Sequence, residues 1–118
     1  MTGTDIVARA RVALVDTASP YHWSDDELLD ALNEGIQELF TRRPDCVVLE
    51  DDMAIRADRP APLGELADPL PVHPRFMPAL LHYIIGRAYE TDSDEVVAGA
   101  GGRADIFIQR FYRDAEAL

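Results

Sequence analysis

The sequence predicts a mainly α-helical protein: a small bundle of about four helices, with a long Pro-rich arm between the second and third helices. Three observations predict this fold class. Apolar residues recur at three- and four-residue spacing in four segments. Neither an internal repeat nor an alternation of strands and helices is visible. The 118 residues are enough for one core, so we expect a single domain over 1–118.

The first helix is predicted over about 4–16, because its apolar residues fall on one helical face. Arg9 and Arg11 fall away from that face. A Ser-Pro turn signal within 17–22 then ends the helix. The predicted apolar face consists of Ile6, Val7, Ala10, Ala13 and Leu14.

The second helix, over about 24–42, has the most complete set of local signals. Ser24 is a good N-cap and Glu27 completes a capping box, while Trp23 and Leu28 occupy the two positions of a hydrophobic staple. The first turn contains acidic residues and the last turn contains arginines. The helix dipole favours negative charge at the N-terminus and positive charge at the C-terminus. A proline then ends the helix. The apolar stripe is formed by Leu28, Leu29, Leu32, Ile36, Leu39 and Phe40.

An extended arm is predicted over about 46–73. Two short apolar runs within 46–57 flank Asp51-Asp52, which is compatible with a small β-hairpin, although the pair lacks the glycine that tight primed turns prefer. Four prolines then predict a semi-rigid surface loop. Loops this long in small domains are usually functional or become ordered on binding. Cys46 is expected to be a buried small apolar residue.

The third and fourth helices are predicted over about 75–91 and 95–117. The glycine-rich run 99–102 weakens the start of the fourth helix, so its firm part is expected near Arg103. That run lacks the Lys-Ser/Thr of a phosphate-binding loop. The apolar face of the third helix is Met77, Leu80, Leu81, Ile84, Ile85 and Ala88, and the seam of the fourth is Val97, Ala100, Ala104, Phe107 and Phe111.

The composition is strongly acidic, with 22 Asp and Glu residues against 11 arginines, a net charge of −11 and a pI near 4.5. This balance argues against a surface that grips DNA or an anionic membrane. A single cysteine excludes an intramolecular disulfide and a Cys-based zinc site. No apolar run reaches the roughly 20 residues of a membrane span, and no signal peptide is visible. We therefore expect a soluble intracellular protein without membrane contacts.

No catalytic or metal-binding constellation stands out in the sequence. The three histidines, His22, His73 and His82, are expected to be solvated or to cap helices, since none has metal-site spacing. The acids at 25–27 are explained by helix-start chemistry, and those at 50–52 lack the spacing of a calcium loop. We expect no enzyme activity, no cofactor and no bound metal.

The last helix carries large apolar groups on more than one face. Either all of them are core, or part of the helix is buried against another chain. Two arginines flank these groups, and arginines beside aromatic rings are typical of interface hot spots. The residues concerned are Phe107, Ile108, Arg110, Phe111, Tyr112 and Arg113.

Two blocks of the sequence resemble a known family. The first runs over 23–35 (WSDDELLDALNEG) and continues to Arg43-Pro44-Asp45; the second runs over 70–89 (LPVHPRFMPALLHYIIGRAY) and precedes a terminal helix ending in aromatics. In this order and spacing they resemble the head–tail connector (adaptor, or head-completion) proteins of tailed bacteriophages. Such proteins often have a long β-rich insertion where this chain has only 46–68, so the function of an inserted subdomain does not carry over.

The resemblance implies a structural protein of the virion neck, at the capsid vertex, which is in the host cytoplasm during assembly. It implies a self-assembled ring of about a dozen copies beneath the portal protein, which extends the DNA channel and offers a docking surface to the next neck or tail protein. The C-terminal segment typically reaches the portal. Phe107, Phe111, Tyr112 and the tail to Leu118 are then portal-facing candidates, and the arm over 58–73 is a candidate for contacts with a neighbouring subunit or the tail side.

In such a ring, acidic side chains that line the channel would repel DNA phosphates and let the DNA slide. A solvated face that aids solubility is an equally good interpretation. A second function class stays open: a small acidic helical regulatory or inhibitory protein, antitoxin-like or DNA-mimicking, that binds one basic partner. The channel-lining candidates on the second helix are Asp25, Asp26, Asp30, Glu34 and Glu38.

Overall fold

The computed structural model describes residues 2–14, 22–47, 59–92 and 100–117, and it is a small, mainly helical bundle, as the sequence predicts. Within these residues two single-turn 3-10 helices, Pro44–Cys46 and Pro74–Phe76, accompany four α-helices. The predicted bounds of the second and third helices agree with the structure to within two residues. The α-helices are α1 (Gly3–Leu14), α2 (Asp25–Arg42), α3 (Met77–Asp92) and α4 (Ala100–Ala117).

Some predicted features lie outside the described residues. These are the last two residues of the first predicted helix, residues 95–99 at the start of the fourth, most of the proposed hairpin over 46–57, and the acids at 50–52.

Helix α3 lies at the centre of the bundle, because it packs against α1, α2 and α4. Its predicted apolar face is confirmed, with Met77 and Leu81 at the half-buried edge. Two further residues of α3, Ala79 and Tyr83, are also buried, since neighbours surround this helix on more than one side. By contrast, Ala13 of α1, predicted on the apolar face, is exposed.

The start of α2 is built as the sequence predicts. Ser24 Oγ accepts a hydrogen bond from the Glu27 backbone N–H at 3.1 Å, so Ser24 is the N-cap. Trp23 and Leu28 are both buried in the same core cluster. The Trp23 indole N–H donates to the carbonyl of Ala88 at 3.1 Å and thereby ties the entry of α2 to α3.

The sequence-based placement of Arg11 outside the core is wrong. Its side chain is buried, and its guanidinium donates to the Trp23 carbonyl at 2.9 Å and to Asp25 Oδ1 at 2.7 Å. A buried guanidinium is tolerated when such partners replace its water. Arg11 therefore joins α1 to the beginning of α2.

The Pro-rich arm, where it is described, lies against the helices and not free in solvent. Asn33 of α2 forms two hydrogen bonds with the backbone of Leu63: its Oδ1 accepts from the N–H at 2.8 Å, and its amide donates to the carbonyl at 3.1 Å. One turn later, Gln37 donates to the Pro60 carbonyl at 2.9 Å. The side-chain amides of Asn33 and Gln37 thus supply hydrogen bonds to the arm backbone that a neighbouring strand would supply in a sheet.

Further along, the arm also contacts α1 and the residue that follows the 3-10 helix Pro44–Cys46. The Thr4 N–H donates to the Leu66 carbonyl at 2.8 Å. Val72 forms an isolated antiparallel bridge with Val47, and both residues are buried. The described part of the arm is consequently fixed by its own chain along most of its length.

Two glycines allow the helices to approach closely. A Cβ atom on Gly35 of α2 would lie 2.9 Å from Cδ1 of Tyr83, and one on Gly86 of α3 would lie 2.9 Å from Cδ1 of Ile108. Both distances are shorter than van der Waals contact, so a Cβ at Gly35 would have to displace the Tyr83 ring and one at Gly86 the end of the Ile108 side chain.

Arg43 links the end of α2 to the C-terminal part of α4. Its guanidinium forms a bidentate pair with Asp45 at 2.8–2.9 Å and donates to the carbonyl of Ala115 at 2.9 Å. It also lies over the ring of Phe76, 5.3 Å from the centroid. The hydrogen bonds from Arg43 hold the pKa of the Asp45 carboxyl below its ordinary value of 3.8.

Replacing Arg43 with alanine is expected to destabilise the protein by about 2 kcal/mol, because charge-assisted bonds to a half-buried carboxylate and a carbonyl are lost together. Arg43→Lys should recover only part of the loss, since an ammonium cannot reproduce the planar fork. Because the pKa of Asp45 is lowered on folding, the pair stabilises the fold above that group's ordinary pKa and weakens as pH falls through the lowered pKa. Urea unfolding at neutral pH and near pH 3 tests this: a wild-type advantage that does not shrink in acid contradicts it.

Candidate functional site

The outward side of α2 is an acidic surface. Asp26 and Asp30 are exposed and Glu38 is half-buried, and none of the three forms an ion pair with another described residue. Helical periodicity places Asp26 and Asp30 on the side opposite the Leu28–Leu32–Leu39 stripe, whereas Glu38 lies on the flank of the helix, nearer α3. These acids therefore form the accessible part of the predicted acidic face.

The other two acids predicted for this face have partners within the chain. The placement of Asp25 with the others is wrong, because it lies on the side of Leu32 and pairs with Arg11. Glu34 accepts a hydrogen bond from the Tyr83 hydroxyl at 2.9 Å and pairs with Arg87 at 3.2 Å. Burial and the Glu34 carboxylate raise the pKa of the Tyr83 phenol, so it stays a donor.

A groove of about 280 Å³ lies between α2 and α3. Its edge along α2 carries Glu27, Asp30 and Glu34, and Arg87 closes the side of α3. The groove is at the small end of ligand sites, which run from about 300 to 1,000 Å³, so it suits protruding side chains better than a cofactor. The apolar part of its lining consists of Trp23, Leu28, Ala31 and Ala88.

The outward face of α4 has the opposite charge. Ile106 is 50% exposed, and Arg110 and Arg113 follow it at four and seven residues, which places all three on one helical stripe. Arg110 lies over the Phe107 ring, 5.1 Å from its centroid, and Arg113 pairs with Asp114 at 3.1 Å. Gln109 lines the same shallow depression. An exposed isoleucine followed by two exposed arginines on the same stripe therefore characterises this surface.

The predicted interface residues of α4 separate into core and surface. Phe111 is fully buried, with its ring 4.9 Å from Tyr83 and 5.1 Å from Tyr112 between centroids, so its assignment to an accessible portal-facing surface is wrong. Tyr112 is half-buried beneath the Arg42 guanidinium, and Phe107 is half-buried beside Tyr89. Arg110 and Arg113 are exposed, and Leu118 lies outside the described residues.

Ile106 was not among the residues predicted from the sequence. Its signal was its position: it lies one residue off the apolar seam of α4 and in register with Arg110 and Arg113. Among the described residues, Val12 of α1 is the other large apolar side chain with high exposure, at 68%. It has no comparable arginine stripe beside it along α1.

The histidines have partners within the chain, and the ring of His22 lies 4.5 Å from that of Trp23 between centroids. Nδ1 of His82 lies 2.8 Å from Oδ2 of Asp114, and both side chains are largely buried where α3 meets α4. The expectation that His82 is solvated or a cap is therefore wrong, because α4 covers it. For His73 the capping role is confirmed, since its Nδ1 accepts from the Arg75 N–H at 3.1 Å.

Cys46 is buried, as expected for a lone small apolar residue. Burial raises the pKa of its thiol to about 11, so the nucleophilic thiolate is scarce at neutral pH. Across the described ranges no group of three or more His, Cys, Asp or Glu side chains is arranged to hold a metal ion. In the same ranges, no helix has both the length and the apolar character of a membrane span. No protein-family model, curated protein or solved structure matches the chain.

Proposed function

We propose that this chain is a head–tail connector of a tailed bacteriophage: a structural protein that forms a ring under the portal, extends the DNA channel and supports the next neck or tail protein. The observation that carries the proposal is the resemblance of the 23–45 and 70–89 blocks, in their order and spacing, to such proteins. The arrangement of these two blocks in the fold adds support.

The two blocks form one packed unit. Gly35 of the first block lies against Tyr83 of the second, and the Tyr83 hydroxyl donates to Glu34. Arg43, near the end of the first block, donates to the Ala115 carbonyl of α4 and to the carboxylate of Asp45. The residues that carry the resemblance are thus largely those that hold the helices together, as expected if they specify a shared scaffold.

The accessible surfaces suit assembly. The outward acids Asp26, Asp30 and Glu38 are available to face DNA in a channel, where their charge repels phosphates. The exposed arginines of α4, with half-buried Phe107 and Tyr112, are available for contacts with the portal or a neighbouring subunit.

Native mass spectrometry of the full chain with the portal protein encoded in the same genome tests the proposal. We expect a ring of many copies to form on the portal, with a portal from an unrelated phage as the negative control. A chain that stays monomeric at every ratio to its cognate portal contradicts the proposal.

The exposed acidic face of α2 also favours the second candidate, a small acidic protein that binds one basic partner. That protein would form a complex of defined low stoichiometry and would ignore the portal. The same measurement therefore separates the two functions. A portal or capsid gene directly upstream in the genome is a simpler observation in favour of the connector.

A further inference from the structure

The chain presents two surfaces that complement each other in charge and shape. We call the first the acidic groove: it is the groove between α2 and α3, edged by Glu27, Asp30 and Glu34 on α2 over an apolar floor. Arg87 on α3 pairs with Glu34, so Glu27 and Asp30 supply the net negative charge of the edge. The second, the basic ridge, is formed by Ile106, Arg110 and Arg113 on α4. An apolar floor beside acids matches an apolar side chain beside arginines.

The charges make a second copy of this chain the fitting occupant. With a net charge of −11, two copies repel each other unless a local attraction offsets the repulsion. The basic ridge provides that attraction, since Arg110 and Arg113 are exposed cations in an acidic chain. Asp30 is exposed and has no ion-pair partner among the described residues, so it is accessible to the arginines of a second copy.

The groove of a chain cannot take up the ridge of the same chain. Helix α4 packs on α3 through its buried face, which includes Ala104, Phe111 and Ala115, and the ridge lies on the opposite side of the helix. Contact between two different patches is heterologous, and it yields a closed ring when the rotation between neighbours closes.

We propose that the basic ridge of one copy docks into the acidic groove of the next, with Ile106 on the apolar floor and the two arginines against the acidic edge. The inference rests on the proposed function, because the connector ring would be built by repeating this contact from one copy to the next. It assigns Asp30 to the subunit contact and leaves Asp26 as the exposed acid of this face that is available to the channel.

Two variants disable one half of the contact each. Asp30→Arg reverses the charge at the edge of the groove and leaves the ridge intact. Ile106→Ser/Arg110→Ser removes the ridge and leaves the groove intact. We expect the dissociation constant of self-association to rise about tenfold or more for each variant alone.

A mixture of the two variants gives the sharpest readout. In a head-to-tail contact the ridge of Asp30→Arg still fits the groove of Ile106→Ser/Arg110→Ser, whereas no other pairing is intact. The equimolar mixture should therefore form 1:1 pairs and stop there. Native mass spectrometry and light scattering measure this, with and without the cognate portal.

Matched controls keep the charge and polarity changes but move them off the two surfaces. Asp26→Arg makes the same change one turn earlier on α2, outside the groove. Val12→Ser removes the other exposed large apolar side chain. Both controls should assemble like the wild-type chain, and circular dichroism should show unchanged helix content in all variants.

The outcomes separate this inference from the proposed function. Variants that assemble as well as the wild-type chain overturn the ridge-in-groove contact and leave the connector ring standing. Variants that lose assembly without forming 1:1 pairs in the mixture overturn the head-to-tail pairing. A wild-type chain that stays monomeric with and without its portal overturns both proposals.

Discussion

Replacing Phe111 with alanine is expected to lower the free energy of unfolding by about 3–5 kcal/mol. The side chain is fully buried and packs edge-to-face against Tyr83 and beside Tyr112, so truncation leaves a cavity where α4 meets α3. Urea unfolding followed by circular dichroism measures the change.

Phe107→Ala on the same helix is the matched control. Phe107 is half-buried, so its truncation should cost clearly less than that of Phe111. If Phe111→Ala left stability unchanged and abolished portal binding, Phe111 would be a docking residue, contrary to the structure.

Replacing Gly35 with valine is expected to destabilise the protein by about 2–3 kcal/mol, an overpacking effect. A Cβ at this position lies 2.9 Å from Tyr83 Cδ1 and 3.2 Å from its Cγ. The ring cannot easily move aside, because its hydroxyl donates to Glu34 and its face meets Phe111. Thermal unfolding measures the loss, which should exceed the small gain in helix propensity over glycine.

Two further variants test that explanation. Gly64→Ala introduces a Cβ whose nearest atom is 3.7 Å away, so it should change stability by no more than about 0.5 kcal/mol. In a double-mutant cycle, Tyr83→Leu should reduce the cost of Gly35→Val, because the clashing ring is gone. If Gly35→Val lowered the free energy of unfolding equally with Tyr83 and with Leu at position 83, the tyrosine ring would not be the cause of the destabilisation.

The elements predicted best are those specified by neighbours in sequence. The cap, staple and apolar stripe of α2 act over three or four residues, so the Ser24–Glu27 bond and the burial of Trp23 follow from local patterns. The apolar face of α3 follows from periodicity in the same way.

The features missed depend on residues far apart in the chain. Arg11 is buried because Trp23 and Asp25 supply its partners, and His82 is covered because α4 brings Asp114 to it. Periodicity assigns a residue to a face of one helix, but it does not say which other helix covers that face. For the same reason, periodicity placed Phe111 on the apolar seam of α4 but left open whether that seam faces α3 or another chain.

The candidate site shows the same division. The acids of α2 were predicted as a group, and the structure separates Asp25 and Glu34, which have partners, from the outward Asp26, Asp30 and Glu38. The groove is formed by α2 and α3 together, and the ridge can be recognised only when the buried face of α4 is known. Both surfaces therefore become visible only once the helices are packed.

The way the arm is attached bears on how much chain the scaffold can accommodate. Val47 is held by Val72 on one side, and Arg59 on the other is held by Gln37 Oε1 at 2.8 Å and lies over the Phe40 ring. Because both anchors lie on the helical scaffold, the interval between them can lengthen without moving a helix. Each doubling of such a loop costs only about 0.6 kcal/mol in closure entropy. The helices can thus accommodate a much longer segment between Val47 and Arg59 at a small cost in closure entropy.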